Sequence, residues 1–498
     1  MVIESINPAT LEKIGEVQKT PIEDLDAIFT KARKTQQDWR QIETKKRARI
    51  VVKVNEYITE NMDEISELIS KETGKPPLEA FASEVYGVVD ATFYYYNTAD
   101  QVIDKKEEIE LGFYSSLDKS SYVIYKPAGI VSVIGPYNYP FAIPFSQIVQ
   151  SLIAGNAVVF KPSSDTVLVG KKIQEVFDSI ENFPEGLMQT VYGSGSTLGK
   201  PLIDKANRVI FTGSTETGKT IMRIAADTLT PVCLELGGKS EMIVLPDANL
   251  ERAARAARWG CFTNSGQVCS SVKRLYVHQS IKDDFTKKLI ELTKQLKQGN
   301  PLDFGIDLGA MINEIQMNKV LKAIENAKSE GAKVLIGGER NKELNGYFIK
   351  PTILGNCTNQ MDCVQKEIFG PVLPIIPFKN ENEVIELANA NPFGLTSSIW
   401  TENYDKAIEM GKNLDTGTVM INEVVYTFAL AQTPWGGPKS SGIGRTHGKF
   451  GFLEVLEPLH VHIDKYKEPD LWWMPYDEDF MEVMENFKII AKSLVVRD

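Results

Sequence analysis

Phe211-Thr-Gly213-Ser214-Thr-Glu-Thr-Gly218-Lys219 joins a short apolar run, 209–211, to helix-forming sequence over 217–226. A strand, a tight glycine turn and a helix is the unit of a parallel sheet, and the unit recurs on both sides of this stretch. Short apolar strands are expected over 130–134, 157–160, 189–192, 209–211 and 242–245, with helical sequence between them, for example at 170–179. That alternation predicts a parallel sheet covered by helices on both faces. In such sheets ligands bind beyond the carboxyl ends of the strands. Asn138, Lys161, Gly193, Gly213 and Glu235 all fall just past predicted strand ends.

Outward from this region the pattern changes twice. Toward the amino terminus, Thr20-Pro21-Ile22-Glu23 reads as a helix start closed by a capping box, and helical periodicity continues over 47–70 and 79–100. The aromatic run Phe93-Tyr-Tyr-Tyr96 reads as packing surface. Residues 121–125 alternate like an exposed strand. Toward the carboxyl terminus a second α/β section spans about 273–420, with helices over 281–297 and 318–329 and a strand over 333–336. Residues 459–463 alternate like an edge strand, followed by the aromatic segment 471–475 and an amphipathic tail over 479–496.

At 498 residues the chain has room for about three domains. Its 43% hydrophobic and 24% charged residues are ordinary for a globular protein. A net charge of −11, with no block of Lys and Arg, argues against nucleic acid or an anionic membrane surface as main partner. The five cysteines form no CxxC pair and the four histidines have no metal-ligand spacing, so no metal site is expected. No secretory signal and no apolar segment near the ~20 residues of a membrane helix is visible, which leads to a reducing, cytoplasmic setting as the expectation.

Three features carry chemistry. Phe262-Thr-Asn-Ser-Gly-Gln-Val-Cys269-Ser-Ser lies between a helix over 250–261 and a strand over 273–278, so Cys269 sits in a small-residue connection. A lone cysteine there is either a nucleophile or a buried free thiol. Gly213 to Gly218 opens a helix, where free amides and the helix dipole suit a phosphate. Gly193-Ser-Gly195-Ser-Thr-Leu-Gly199 also follows a strand, with its third glycine one place too late for the dinucleotide fingerprint G-x-G-x-x-G. Lys161, at a strand end, is either solvated or placed to meet a ribose or phosphate.

Together these segments resemble the aldehyde dehydrogenase family over nearly the whole chain. The resemblance is carried by Gly135-Pro-Tyr-Asn138-Tyr-Pro, Lys161-Pro-Ser, Phe211-Thr-Gly-Ser-Thr, Leu234-Glu235-Leu-Gly-Gly-Lys, Asn264-Ser-Gly-Gln-Val-Cys269, Glu367-Ile-Phe-Gly-Pro, Asn391-Pro-Phe-Gly-Leu and Pro434-Trp-Gly-Gly-Pro-Lys-Ser-Ser-Gly442. It implies an α/β fold of two doubly wound, Rossmann-like parallel-sheet domains plus a small bridging β-sheet. Residues 1–112 and 128–237 would bind the cofactor, 238–440 would form the catalytic domain, and 113–127 with 455–470 would bridge subunits of a homodimer or homotetramer. Residues 471–498 would be a tail.

The resemblance also implies roles. Cys269 would attack an aldehyde carbonyl as a thiolate, the Asn138 amide and the Cys269 N–H would hold the oxyanion, and Glu235 would be the general base that hydrolyses a thioester to the carboxylate. Lys161, Ser164, Gly195, Gly213, Ser214, Leu236, Glu367 and Phe369 would face NAD or NADP. Many NAD-preferring relatives carry glutamate at the position of Ser164; a serine there would not repel the 2′-phosphate of NADP, so NADP is expected to be accepted or preferred. Tyr139, Val268, Ser270, Phe428 and Trp435 would line an aromatic, largely apolar tunnel for an aliphatic or aromatic aldehyde. The alternatives are a CoA-acylating enzyme, whose members generally lack the base at Glu235, a succinate-semialdehyde-type dehydrogenase, and a scaffold protein without turnover.

Overall fold

The computed structural model describes residues 1–470, 472–476 and 478–495. The ends of the predicted aromatic segment and tail (Leu471 and residue 496) lie outside the described residues. Strands and helices divide into two units, residues 1–103 with 127–457 and residues 104–126 with 458–498.

Among the described residues the larger unit contains a two-stranded sheet, Val2–Ile6 with Lys13–Gln18, and two larger sheets. The first has six strands in the order Gly442–Ile443, Val232–Glu235, Arg208–Thr212, Ile130–Ile134, Ala157–Lys161, Met188–Thr190. All pairings are parallel except the two-residue edge strand, which runs antiparallel against Val232–Glu235. Ile130–Ile134 and Ala157–Lys161 are buried along their whole length, as expected for strands covered on both faces. Lys161 and Glu235 are the last residues of their strands, whereas Asn138 and Gly213 lie beyond theirs.

The second sheet has seven strands in the order Lys333–Ile336, Thr352–Gly355, Val372–Phe378, Arg274–His278, Glu241–Val244, Thr396–Trp400, Thr418–Ile421. Side-chain alternation splits its core. Ile243, Tyr276, Ile376 and Ile399 join one apolar cluster, and Met242, Val244, Leu275, Val277 and Ile375 another. Two expectations are corrected here. The strand at 242–245 belongs to this second sheet, where Glu241–Val244 pairs with Arg274–His278 and Thr396–Trp400. The first sheet instead uses Val232–Glu235, which is not among the strands expected from the sequence, and Glu235 is the last residue of that strand.

The capping box at Thr20 does not form. The α-helix starts at Leu25 after a 3₁₀ turn at Ile22–Asp24, with no side-chain cap, and Thr20 Oγ1 instead accepts the N–H of Tyr192 at 2.9 Å. The helical stretch at 47–70 is divided into Thr44–Val51, Val54–Glu60 and Met62–Thr73.

The smaller unit holds a three-stranded sheet, Leu456–Asp464, Lys119–Pro127, Glu107–Ile109, and the helix Glu478–Ser493. Leu456–Asp464 is an edge strand with mostly exposed side chains. Among the described residues, no helix is long and apolar enough to cross a membrane, and no group of three His, Cys, Asp or Glu could hold a metal ion.

Candidate active site

The connection that carries Cys269 is built by three successive left-handed residues, Asn264 (φ 50°), Ser265 (φ 53°) and Gly266 (φ 72°). Two of them are not glycine, so the backbone is held in a costly conformation by its surroundings. Those surroundings are specific. Glu79 accepts bonds from Thr263 Oγ1 and Asn264 N, both at 2.8 Å; Ser265 Oγ donates to Gly309 O; Lys273 Nζ donates to Gly266 O and Ile368 O. A Cβ on Gly266 would stand 2.2 Å from the Gly370 carbonyl oxygen, so only glycine fits there. Cys269 emerges half-buried at the end of this turn. All five cysteines are free thiols, and the other four are buried.

Beyond Ile130–Ile134, the loop Gly135–Pro140 leads into the helix Ala142–Ile153 and places Asn138 beside the cysteine turn. Asn138 Nδ2 donates to Gln267 O at 3.0 Å, while Asn264 Nδ2 donates to Asn138 O at 3.0 Å. The two loops are thus laced together by their amides. Beyond Val232–Glu235, Leu236-Gly237-Gly238 passes so close that a Cβ on Gly238 would lie 2.2 Å from the Cys269 carbonyl oxygen. Glu367 Oε1 accepts the Gly238 N–H at 3.0 Å.

These elements enclose a groove of about 950 Å³. Asn138, Lys161, Ser164, Gly195, Gly213, Ser214, Leu236, Cys269, Glu367 and Phe369, all singled out from the sequence, line it together. Two helices begin in it, Gly195–Lys205 and Thr215–Ala226, each capped by a serine (Ser194, Ser214) whose hydroxyl accepts an N–H three residues on. Lys161 is buried and its ammonium donates to Pro162 O at 3.0 Å; burial pulls its pKa down to about 8, against the opposing charge of Asp165. Ser164 Oγ contacts Gly193 O at 3.4 Å. Asp165, not picked out beforehand, also lines the groove and is held by Asn313 Nδ2 at 3.1 Å. A dinucleotide fits this donor set: paired helix starts for a pyrophosphate, a buried ammonium and a carboxylate for ribose hydroxyls.

Electrostatics set the protonation states. Burial pushes the Cys269 thiol up to about 12, helped by the charges of Glu235 and Glu367 and opposed by Lys273 and the Ser270 N–H. Burial also raises Glu235 well above the ordinary carboxylate range, while Arg445 and hydrogen bonds from Thr446 pull the other way. Glu235 Oε1 has no hydrogen-bond partner. Full burial with one oxygen left without a partner favours the protonated form of this carboxyl.

The expected tunnel residues partly converge. Tyr139 stacks on Phe428 (centroids 6.3 Å, 29°), and Phe428 meets Trp435 edge-on at 5.1 Å. Val268 shares the apolar cluster of Tyr139, against which Phe428 packs. Ser270 does not join them: it is buried, its N–H directed to the Cys269 sulfur and its carbonyl accepting Thr396 Oγ1 at 3.5 Å. His447 was missed. It is buried against Phe428 at 5.0 Å and Trp435 at 6.4 Å, its Nδ1 lacks a partner, and burial lowers its pKa to about 4. It lies in Arg-Thr-His-Gly just after the last glycine motif, and its type and place alone carried no signal. Lys75, Glu79 and Glu84 were missed as well.

The chain is similar to known proteins over nearly its whole length. Residues 1–461 match the family model described as "Aldehyde dehydrogenase family". The chain is 37% identical to aminoaldehyde dehydrogenase 1, peroxisomal, of Pisum sativum, covering 95% of this chain and 94% of that one. It is 35% identical to 4,4'-diapolycopene aldehyde oxidase of Methylomonas sp, covering 97% and 90%. Its fold superposes on an NAD+ complex of aldehyde dehydrogenase from Bacillus cereus with a TM-score of 0.89, at 34% identity over 93% and 94% of the two chains. With a family match over residues 1–461 and relatives at 34–37% identity over more than nine-tenths of the chain, the chain belongs to the aldehyde dehydrogenase family and is an NAD(P)-dependent oxidoreductase that acts on an aldehyde.

Proposed function

We propose that the protein oxidises an apolar aliphatic or aromatic aldehyde to its carboxylate through a covalent adduct on Cys269. The observation that carries this is the convergence of Cys269, Asn138 and Glu367 with two capped helix starts in one groove. Glu235, reached through Leu236 and Gly237, takes the thiol proton, which the thiol's raised pKa makes necessary at neutral pH. The sulfur adds to the carbonyl carbon, and the Asn138 amide and Cys269 N–H stabilise the oxyanion. Lys161, Ser164, Gly195, Gly213, Ser214, Leu236, Glu367 and Phe369 would hold an oxidised nicotinamide, which when bound would supply the hydride acceptor for the C–H bond of the Cys269 adduct. Cys269 then holds the acyl group as a thioester; once Glu235 has passed the thiol proton to solvent, it takes a proton from water, whose oxygen adds to the thioester carbon and releases the carboxylate and the Cys269 thiolate.

The aromatic wall of Tyr139, Phe428 and Trp435 supports an apolar substrate, with Val268 behind it and Ser270 serving the thiol. No arginine in these stretches offers itself to a substrate carboxylate, which disfavours a succinate-semialdehyde-type substrate. Ser164 supports acceptance of NADP: its side chain carries no charge to repel a 2′-phosphate and Lys161 can pair with one, while the neighbouring Asp165 carboxylate is held by Asn313. The presence of Glu235 supports hydrolysis over transfer to CoA. The exposed edge strand Leu456–Asp464 supports a homodimer or homotetramer, because unpaired strand edges invite pairing. Five free thiols fit a reducing compartment such as the cytoplasm.

A panel of aldehydes graded in length, charge and aromaticity, assayed with NAD and NADP and with and without CoA, tests this reading. Carboxylate formation from apolar aldehydes without CoA is expected. Strict dependence on CoA, or preference for a carboxylated aldehyde, would overturn it.

A further inference from the structure

A fully buried ion pair lies behind the groove. Lys75 follows the left-handed Gly74 (φ 82°) that ends the helix Met62–Thr73, and Glu84 sits nine residues on. Lys75 Nζ and Glu84 Oε1 are 2.6 Å apart and both side chains are shielded from solvent. Burying two charges is costly, so such a pair is retained only where its remaining bonds are used. Here the remaining bonds go to the Asn138 loop and to the start of the helix that follows it. Lys75 Nζ donates to Asn138 O at 2.6 Å and lies 4.0 Å from the centroid of the Tyr139 ring; Glu84 Oε2 accepts the N–H groups of Phe141 at 2.8 Å and Ala142 at 3.3 Å. The same segment supplies Glu79, which clamps the turn leading to Cys269.

We propose that Lys75, braced by Glu84, is a positioning residue for the oxyanion site: its ammonium pins the Asn138 peptide, so that the Asn138 side-chain amide stands fixed against the Cys269 turn. Asn138 Nδ2 spends one hydrogen on Gln267 O. A rotation of the Asn138 peptide would carry the other away from the developing charge, and small misplacements of such donors are expensive. The proposal rests on the oxyanion role of Asn138 given above.

Two reactions of the same thiol, run without dinucleotide, isolate the effect. With p-nitrophenyl acetate the sulfur adds to the carbonyl, an oxyanion forms and collapses, and p-nitrophenolate leaves with the S-acetyl enzyme remaining. With iodoacetamide the sulfur displaces iodide and no oxyanion forms. Lys75→Met should slow acylation between about tenfold and 100-fold while alkylation changes less than about twofold. Because Lys75→Met strands a buried carboxylate, Lys75→Met/Glu84→Gln is tested beside it. The double variant should recover thermal stability and keep the acylation defect. Acylation at the wild-type rate in either folded variant overturns the proposal, as does a parallel fall of both reactions, which marks a general disturbance of the cysteine turn. Asn138→Ala separates the premises: if it leaves the acylation-to-alkylation ratio unchanged, the oxyanion role of Asn138 fails, and if it lowers the ratio while Lys75→Met does not, only the role of Lys75 fails.

Discussion

Replacing Glu235 with glutamine keeps the shape of a fully buried side chain and removes its ability to take a proton. General-base removal costs roughly 10²- to 10⁴-fold, about 2.7–5.4 kcal/mol. The structure points to the upper half of that range. Oε1 has no partner that could relay a proton in its place, and Glu367, a carboxyl that lines the groove, is committed to the Gly238 N–H. The stability effect has the opposite sign. Burial raises the folded-state pKa of Glu235 above its ordinary 4.5, so the folded protein binds that proton more tightly than the unfolded chain. Stability from this group is complete below the unfolded value and is lost as pH rises through the folded one, at about 1.4 kcal/mol per pH unit. Glutamine does not ionise, so Glu235→Gln should melt higher than wild type at pH 8, with the gap closing as pH falls toward 4.5. Rapid-mixing assays should show a first hydride transfer slowed less than hydrolysis of the thioester, so that acyl-enzyme accumulates and the steady-state rate falls by about 10³-fold or more. Unaltered steady-state turnover, or a variant less stable than wild type at pH 8, would refute the reasoning.

Other perturbations probe separate parts of the site. Ser164→Glu places a carboxylate where a 2′-phosphate is expected and should raise the KM for NADP at least about tenfold more than that for NAD; equal changes would remove the argument for NADP. Trp435→Ala opens the buried aromatic wall and should lower kcat/KM for benzaldehyde-like substrates by about ten- to 100-fold, the worth of ~1.5–3 kcal/mol of apolar contact, while acetaldehyde changes less than about threefold. Gly238→Ala drives a Cβ to 2.2 Å from the Cys269 carbonyl oxygen, a backbone atom that cannot step aside. It should cut turnover by about 100-fold or more and lower the melting temperature; near-normal kinetics would contradict the close approach.

The glycine turns and apolar strands were legible because they are local. A strand, a turn and a helix within about thirty residues announce themselves by period and by glycine. Which sheet a strand joins is not local. Glu241–Val244 reads like the strands before it, yet its partners are Arg274–His278 and Thr396–Trp400, far along the chain. Val232–Glu235 escaped notice because it has four residues and ends in a carboxylate, and its antiparallel neighbour Gly442–Ile443 comes from the other end of the chain. Cys269, Asn138 and Glu235 were singled out through ordered motifs. Lys75 and Glu84 were not, since a lysine before two prolines and a glutamate nine places later look like surface charges until the fold buries them together. Thr20 illustrates the reverse error: a sound local capping signal lost to a tertiary bond with the Tyr192 N–H.

The central claim is that the acyl group passes through a covalent bond to one sulfur. Acid-quenching the enzyme within the first turnover on an apolar aldehyde and NADP, followed by mass spectrometry of its peptides, tests that directly. The peptide containing Cys269 should gain the mass of the acyl group, in an amount that rises in Glu235→Gln. An adduct on Cys233, Cys261, Cys357 or Cys363 instead, or steady turnover with no adduct in either protein, would contradict it.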